Sequence, residues 1–133
     1  MPSIDDDRDR MPRPWVALLA DVAVLVLFVL VGRRSHHEDA GFAGFLRVWW
    51  PFAVALGVAW LVTGLWRAPL SWGRAAVAWL VTVGLGMTLR IAAEGRDFKV
   101  AFAIVTLLFV GAGMLGWRAV VRWRRSRIHA TTP

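Results

Sequence analysis

The sequence predicts an all-α integral membrane protein, a bundle of four transmembrane helices that run up and down in turn. Apolar runs of about 20 residues recur four times, as bilayer spans require. Hydrophobic residues make up 58% of the 133 residues, and the mean hydropathy is +0.55. The runs are apolar on every side, whereas the surface helices of soluble domains are amphipathic. The length leaves room for one compact membrane domain.

The predicted transmembrane domain covers residues 14–117, with spans at about 14–31, 49–65, 75–89 and 100–117. Proline stands near the start of the first two spans, where its missing N–H is tolerated. Most of the nine tryptophans fall at or just beyond the span ends, as in an interfacial aromatic belt: Trp15, Trp49, Trp50, Trp66, Trp72, Trp117 and Trp123. Residues 1–13 are predicted to be a disordered cytoplasmic tail, and residues 118–133 a basic cytoplasmic tail that continues span four.

The composition excludes several kinds of chemistry. Cysteine is absent, so disulfides, thiolate catalysis and cysteine-ligated metal centres are excluded. No Ser–His–acid or paired-carboxylate arrangement is visible, and we expect neither enzyme activity nor a cofactor. His36, His37 and Glu38 are possible metal ligands. Adjacent residues rarely converge on one ion, however, so no metal site is predicted.

The net charge of +7 lies mainly in the tails and connections. We therefore expect anionic lipid headgroups, rather than nucleic acid, as the partner of the basic residues. In the C-terminal tail, Arg118, Arg122 and Arg125 share one helical face and are the predicted lipid-binding residues.

The distribution of Arg and Lys predicts the orientation in the cell membrane. Ten of these residues lie in the two tails and the second connection, against six in the first and third connections. The positive-inside rule then places both termini in the cytoplasm. The difference is modest, and dual topology stays open as an alternative.

Asp21 is the most informative single residue, because it interrupts the apolar run of span one. A carboxylate at membrane depth costs about 2.5–3.5 kcal/mol on insertion scales, so it needs a partner or a function. It could bind a proton or a substrate in a transporter or channel. It could instead be a structural tether, paired with Arg74 or Arg118 near the same membrane face. The sequence alone does not decide between these two readings.

The first and third connections carry the other dense polar stretches. We predict an anion-binding outer mouth formed by Arg33, Arg34, His36 and Arg90, because guanidinium groups bind carboxylate or phosphate with two hydrogen bonds. His36 is also a possible pH-sensitive group. The alternative is that these arginines pair with acidic neighbours in the same connections, Glu94 among them, and with lipid phosphate.

Small residues recur at four-residue spacing in spans two, three and four, and such stripes let helix backbones approach closely. The stripes are Ala55, Ala59 and Thr63; Ala78, Thr82 and Gly86; and Ala112 and Gly116. They predict close helix packing.

Several short motifs together resemble a family of short four-span prokaryotic membrane proteins, the domain-of-unknown-function family 3054. They are the Asp21 span, the Gly32–His36 stretch, Trp50-Pro51-Phe52 and Thr88-Leu89-Arg90. The resemblance covers about residues 13–118 and implies a four-helix membrane fold, but it brings no activity. In size and span count only, the chain is also similar to small multidrug transporters and fluoride channels that work as dimers. It lacks the multidrug transporters' midplane glutamate in span one.

Two functions remain open at this point. The first is a small proton-linked transporter or channel for an anion or small polar solute, with Asp21 as the proton or substrate site. The second is a structural or accessory membrane protein with no transport activity of its own. We expect a homo-oligomer, with a dimer as the simplest form, because a chain of 133 residues with few interior polar groups is too small to form a wide pore as a monomer.

Overall fold

The computed structural model describes residues 13–34, 41–95 and 97–130, which form four α-helices. They are α1 (Pro14–Arg34), α2 (Phe42–Thr63), α3 (Trp72–Glu94) and α4 (Val100–Ala130), with a short 3-10 turn at Leu65–Arg67. Each helix contains a stretch that is long enough and apolar enough to cross a membrane. The predicted all-α fold with four membrane-spanning helices is therefore confirmed.

The helices form a closed ring. Each packs against the next along the chain, and α1 also packs against α4, while in the described residues the backbones of α1 and α3, and those of α2 and α4, do not approach closely. This is the up-down bundle that short connections predict. The start of α1, the connection between α2 and α3, and the C-terminal half of α4 consequently lie at one end of the bundle.

The interface between α2 and α3 is the most extensive of the bundle. The predicted small residues lie in it: Ala55 and Ala59 on α2 and Ala78, Thr82 and Gly86 on α3 are all buried. At Gly86 the approach is so close that a Cβ atom would overlap the ring of Phe52. The stripes of α2 and α3 therefore act as helix-packing surfaces, as predicted. The predicted stripe of α4 does not, because Ala112 is exposed and a Cβ atom at Gly116 would meet nothing within 4 Å.

The helices are longer than the predicted spans. The second helix begins at Phe42 rather than near residue 49, and the third runs from Trp72 to Glu94. Hydropathy detects the part of a helix that matches the bilayer interior, whereas backbone hydrogen bonding continues through flanking polar residues such as Arg47 and Arg90.

The connection between α2 and α3 is a compact, capped turn. Gly64 ends α2 in the left-handed conformation, with φ 64°, which favours glycine. Ser71 caps the start of α3 through its side-chain oxygen, which accepts from the Arg74 N–H at 3.4 Å. The Arg74 side chain reaches back and donates to the Gly64 carbonyl at 2.7 Å. This connection is consequently held against both helices that it joins.

Candidate functional site

Asp21 lies on the buried stripe of α1. Ala17, Leu25 and Phe28, which share its helical face, are buried together with it, and Asp21 itself has 0% exposure. From Pro14 to Gly32 the helix is otherwise apolar on all sides, so Asp21 is the residue of this stretch that most needs an inward position. Asp21 therefore points into the bundle, away from the membrane-facing surface.

Arg118 of α4 is the ion-pair partner of Asp21. Its Nη1 donates to Oδ1 and its Nη2 to Oδ2, each at 2.8 Å, and its side chain also has 0% exposure. This is the two-pronged geometry in which a planar guanidinium matches a planar carboxylate. The pair neutralises two charges that would each be costly to bury alone.

Two indole groups complete the surroundings of the Asp21 carboxylate. Trp60 of α2 donates its Nε1–H to Oδ2 at 3.0 Å, and Trp117 of α4 donates to Oδ1 at 2.8 Å. Each carboxylate oxygen therefore accepts two hydrogen bonds, which matches the roughly four lone-pair sites that a carboxylate offers. A further ligand at Asp21 would have to displace one of these donors.

Arg118 also binds the backbone around the pair. Its Nε donates to the Pro69 carbonyl at 2.7 Å, and its Nη1 donates to the Met114 carbonyl at 2.8 Å. Through Asp21, Trp60 and Pro69, the cluster joins α1, α2 and α4 to the connection that leads into α3. We call the side chains of Asp21, Arg118, Trp60 and Trp117 the polar cluster.

The sequence suggested Arg74 or Arg118 as the partner of Asp21, and in the structure the partner is Arg118. Arg74 binds the Gly64 carbonyl instead. The indole donors were not predicted, although one signal was available: Trp60 lies within its span, away from the interfacial belt. Trp117 offered no such signal, because it stands at a span end like the belt residues.

The structure corrects one of the three predicted lipid-binding residues. A guanidinium with no exposed surface that is bound to Asp21 and two carbonyls cannot reach a headgroup, so Arg118 is not available for lipid. Arg122 is exposed and Arg125 is half-buried. Lipid binding therefore remains a prediction for Arg122 and Arg125 only.

The predicted outer mouth lies only partly within the described residues. Arg90 is on α3, with its guanidinium 4.2 Å from the ring centroid of Phe102 on α4 and its Nε 3.9 Å from Oε2 of Glu94. His36 and the side chains of Arg33 and Arg34 lie outside the described part of the chain. An anion-binding mouth therefore remains a prediction. The contact between Arg90 and Glu94 is what the alternative, in which these arginines pair with acidic neighbours, would produce.

The whole polar cluster falls within residues 18–121, the segment matched by the model of a family described as a protein of unknown function (DUF3054). The chain belongs to this family. The match covers most of all four helices. No curated protein and no solved structure matches the chain significantly.

Proposed function

We propose that this DUF3054 member is a structural or accessory membrane protein, a pre-folded helical unit without transport activity of its own. The observation that supports it is the fully satisfied polar cluster. Asp21 is bound by four donors and has no exposed surface, which suits a fastening between helices better than a site that exchanges protons or substrate.

The rest of the described interior supports the same proposal. Besides Asp21 and Arg118, its buried polar side chains are Thr82 and Thr106. Both hydroxyls donate to carbonyls of their own helices, at 2.6 Å to Ala78 and 2.7 Å to Phe102. A second ion pair, Arg90 with Glu94, lies at the other end of the bundle. Among the described residues, no buried ionisable group links it to Asp21, as a proton relay would require.

The alternative, proton-linked transport, would require Arg118 to release Asp21 during each cycle. It would also require a route along a surface shared with a second copy. An accessory protein needs neither. The proposal includes the orientation predicted from the basic residues, with both termini cytoplasmic, and assembly with a further membrane protein, of which a second copy is the simplest. It includes no enzyme activity and no cofactor.

Ion flux in proteoliposomes with a trapped pH dye tests the proposal. Wild type, Asp21→Asn and a matched control, Asp97→Asn, are compared across a panel of simple anions. Asp97 is an exposed carboxylate outside the bundle interior, so its loss removes the same charge without touching the polar cluster. We expect no flux above protein-free vesicles from any of the three.

Proton or anion flux by the wild type that is lost in Asp21→Asn, with both proteins folded and inserted, would contradict the proposal and establish transport. Mass measurement of the same wild-type protein in lipid nanodiscs reports whether it assembles as a dimer.

A further inference from the structure

A cavity of about 420 Å³, broadly open to the surface, lies at the end of the bundle that holds the polar cluster. It is bounded on one side by the connection between α2 and α3 and on the other by the C-terminal part of α4. Its lining residues are Ala68, Leu70, Ser71, Arg122 and Arg125. It is therefore separate from the polar cluster, although it shares the same connection.

The charge of this cavity is positive. Two arginines line it and no carboxylate does. It also borders the start of α3, whose first turn contains no acidic residue, so the positive end of that helix dipole is not offset locally. Asp21, the acidic residue of this end within the described chain, is already bound by Arg118.

Arg122 is held in place before any ligand binds. Its Nη1 donates to the Leu70 carbonyl at 2.9 Å, and its guanidinium lies 5.5 Å from the ring centroid of Trp72. A guanidinium has five N–H donors, so these contacts leave several for a ligand. Since the side chain is already ordered, binding costs less conformational entropy than it would for a free surface arginine.

The surroundings of the cavity indicate where its ligand comes from. Trp66, Trp72 and Trp123 are exposed at this end, and tryptophan is enriched at the headgroup level of membranes. An arginine lies over each of these rings: Arg67 over Trp66, Arg122 over Trp72 and Arg127 over Trp123. When the helices span a bilayer, two arginines at this level are within reach of lipid phosphate groups.

We propose that this cavity binds a phosphate group, supplied by the headgroup of an anionic phospholipid. Arg122 and Arg125 hold the phosphate oxygens, and the start of α3 contributes its dipole. The site goes beyond the proposed accessory function and depends only on membrane insertion. Both arginines lie beyond the matched segment 18–121, so the proposal concerns this chain and not its family.

Lipid retention measured by native mass spectrometry tests the site, with the full-length protein titrated with phosphatidylglycerol, phosphatidylcholine or inorganic phosphate. The test variant is Arg122→Gln with Arg125→Gln. The control is Arg124→Gln with Arg127→Gln, which removes the same charge from the same helix but from residues that do not line the cavity. Arg125→Gln against Arg124→Gln repeats the comparison while keeping the contact of Arg122 with Leu70, in case the double variant fails to fold.

We expect the test variant to lose about tenfold or more in affinity for phosphatidylglycerol, because it removes both guanidinium groups that line the cavity and bind the phosphate oxygens. The control should stay within about twofold of the wild type, because a built site depends on position more than on total charge. Equal losses in the two double variants would overturn the proposal, because affinity would then follow net charge alone. Displacement of the lipid by inorganic phosphate at equal concentration would support the phosphate site but assign it a soluble ligand.

Discussion

At the scale of single residues, Asp21 and Arg118 stabilise the bundle only as a pair. Each is fully buried, so removing one charge leaves the other in the interior without its counter-ion. We predict that Asp21→Asn lowers the free energy of unfolding by about 3 kcal/mol, and Arg118→Gln by a similar amount. Combining the two should recover about half of the summed loss, because neither charge then remains unpaired. Unfolding in mixed micelles with increasing dodecyl sulfate, followed by circular dichroism, measures all three variants.

The control for this comparison of single and double variants is Asp21→Asn combined with Arg124→Gln. It combines the same carboxylate change with the loss of an arginine outside the polar cluster. Its effects should simply add, because the two residues share no contact in the described structure. If Arg118→Gln also adds to Asp21→Asn without recovery, the ion pair is not what stabilises this region.

The sequence predicted the central residue of the site but not its full set of partners. A carboxylate in an apolar run is visible from composition alone, and the energy of burying it demands a partner. Arg118 is 97 positions away, and it resembled its basic neighbours in the tail. Whether Arg118 or Arg122 reaches Asp21 depends on the rotation of α4 about its own axis relative to α1. That rotation is set by the packing of all four helices. The indole of Trp60 enters the site for the same reason.

At the scale of secondary-structure elements, the close contact between α2 and α3 depends on Gly86. We predict that Gly86→Ala destabilises the protein by about 1–3 kcal/mol, because its new methyl group must displace the buried ring of Phe52. The matched control is Gly84→Ala on the same helix, where an added Cβ meets nothing within 4 Å. That change should be neutral or stabilising by up to about 1 kcal/mol, since alanine favours helix over glycine. The same dodecyl sulfate unfolding assay compares the two.

A loss of equal size in both glycine variants would mean that helix flexibility, and not the contact with Phe52, accounts for the effect. The small-residue stripes of α2 and α3 were predictable because their four-residue spacing follows directly from helix geometry. On α4 the same spacing selected Ala112 and Gly116, whereas the close helix approaches are at Gly111 and Gly113. Helix ends were less predictable. The sequence placed the start of α2 near residue 49, although it begins at Phe42, because Arg47 and nearby glycines lower the hydropathy without ending the helix.

At the scale of the whole molecule, the polar cluster fixes which parts of the chain share one end. Asp21 near the start of α1, Pro69 in the connection between α2 and α3, and Arg118 on α4 are joined by hydrogen bonds. The beginning of α1, this connection and the C-terminal part of α4 must therefore face one side of the membrane together. This relation holds whichever side that is, whereas the positive-inside rule selects the cytoplasm.

Single cysteines test both statements, because the natural chain has none. We predict that a membrane-impermeant maleimide labels Ala40→Cys, between α1 and α2, in intact cells. It should label Ala68→Cys and Thr132→Cys only after the cells are opened, because both then face the cytoplasm. If the pattern is reversed, the fold stands but the orientation is wrong, and the phosphate cavity would face the opposite leaflet. If Ala68→Cys and Thr132→Cys are labelled from opposite sides in the same molecules, the four-span bundle itself is contradicted. Partial labelling of all three cysteines from both sides would instead indicate dual topology. In that case the end of the bundle that contains Arg122 lies on one membrane face in half of the molecules and on the opposite face in the other half.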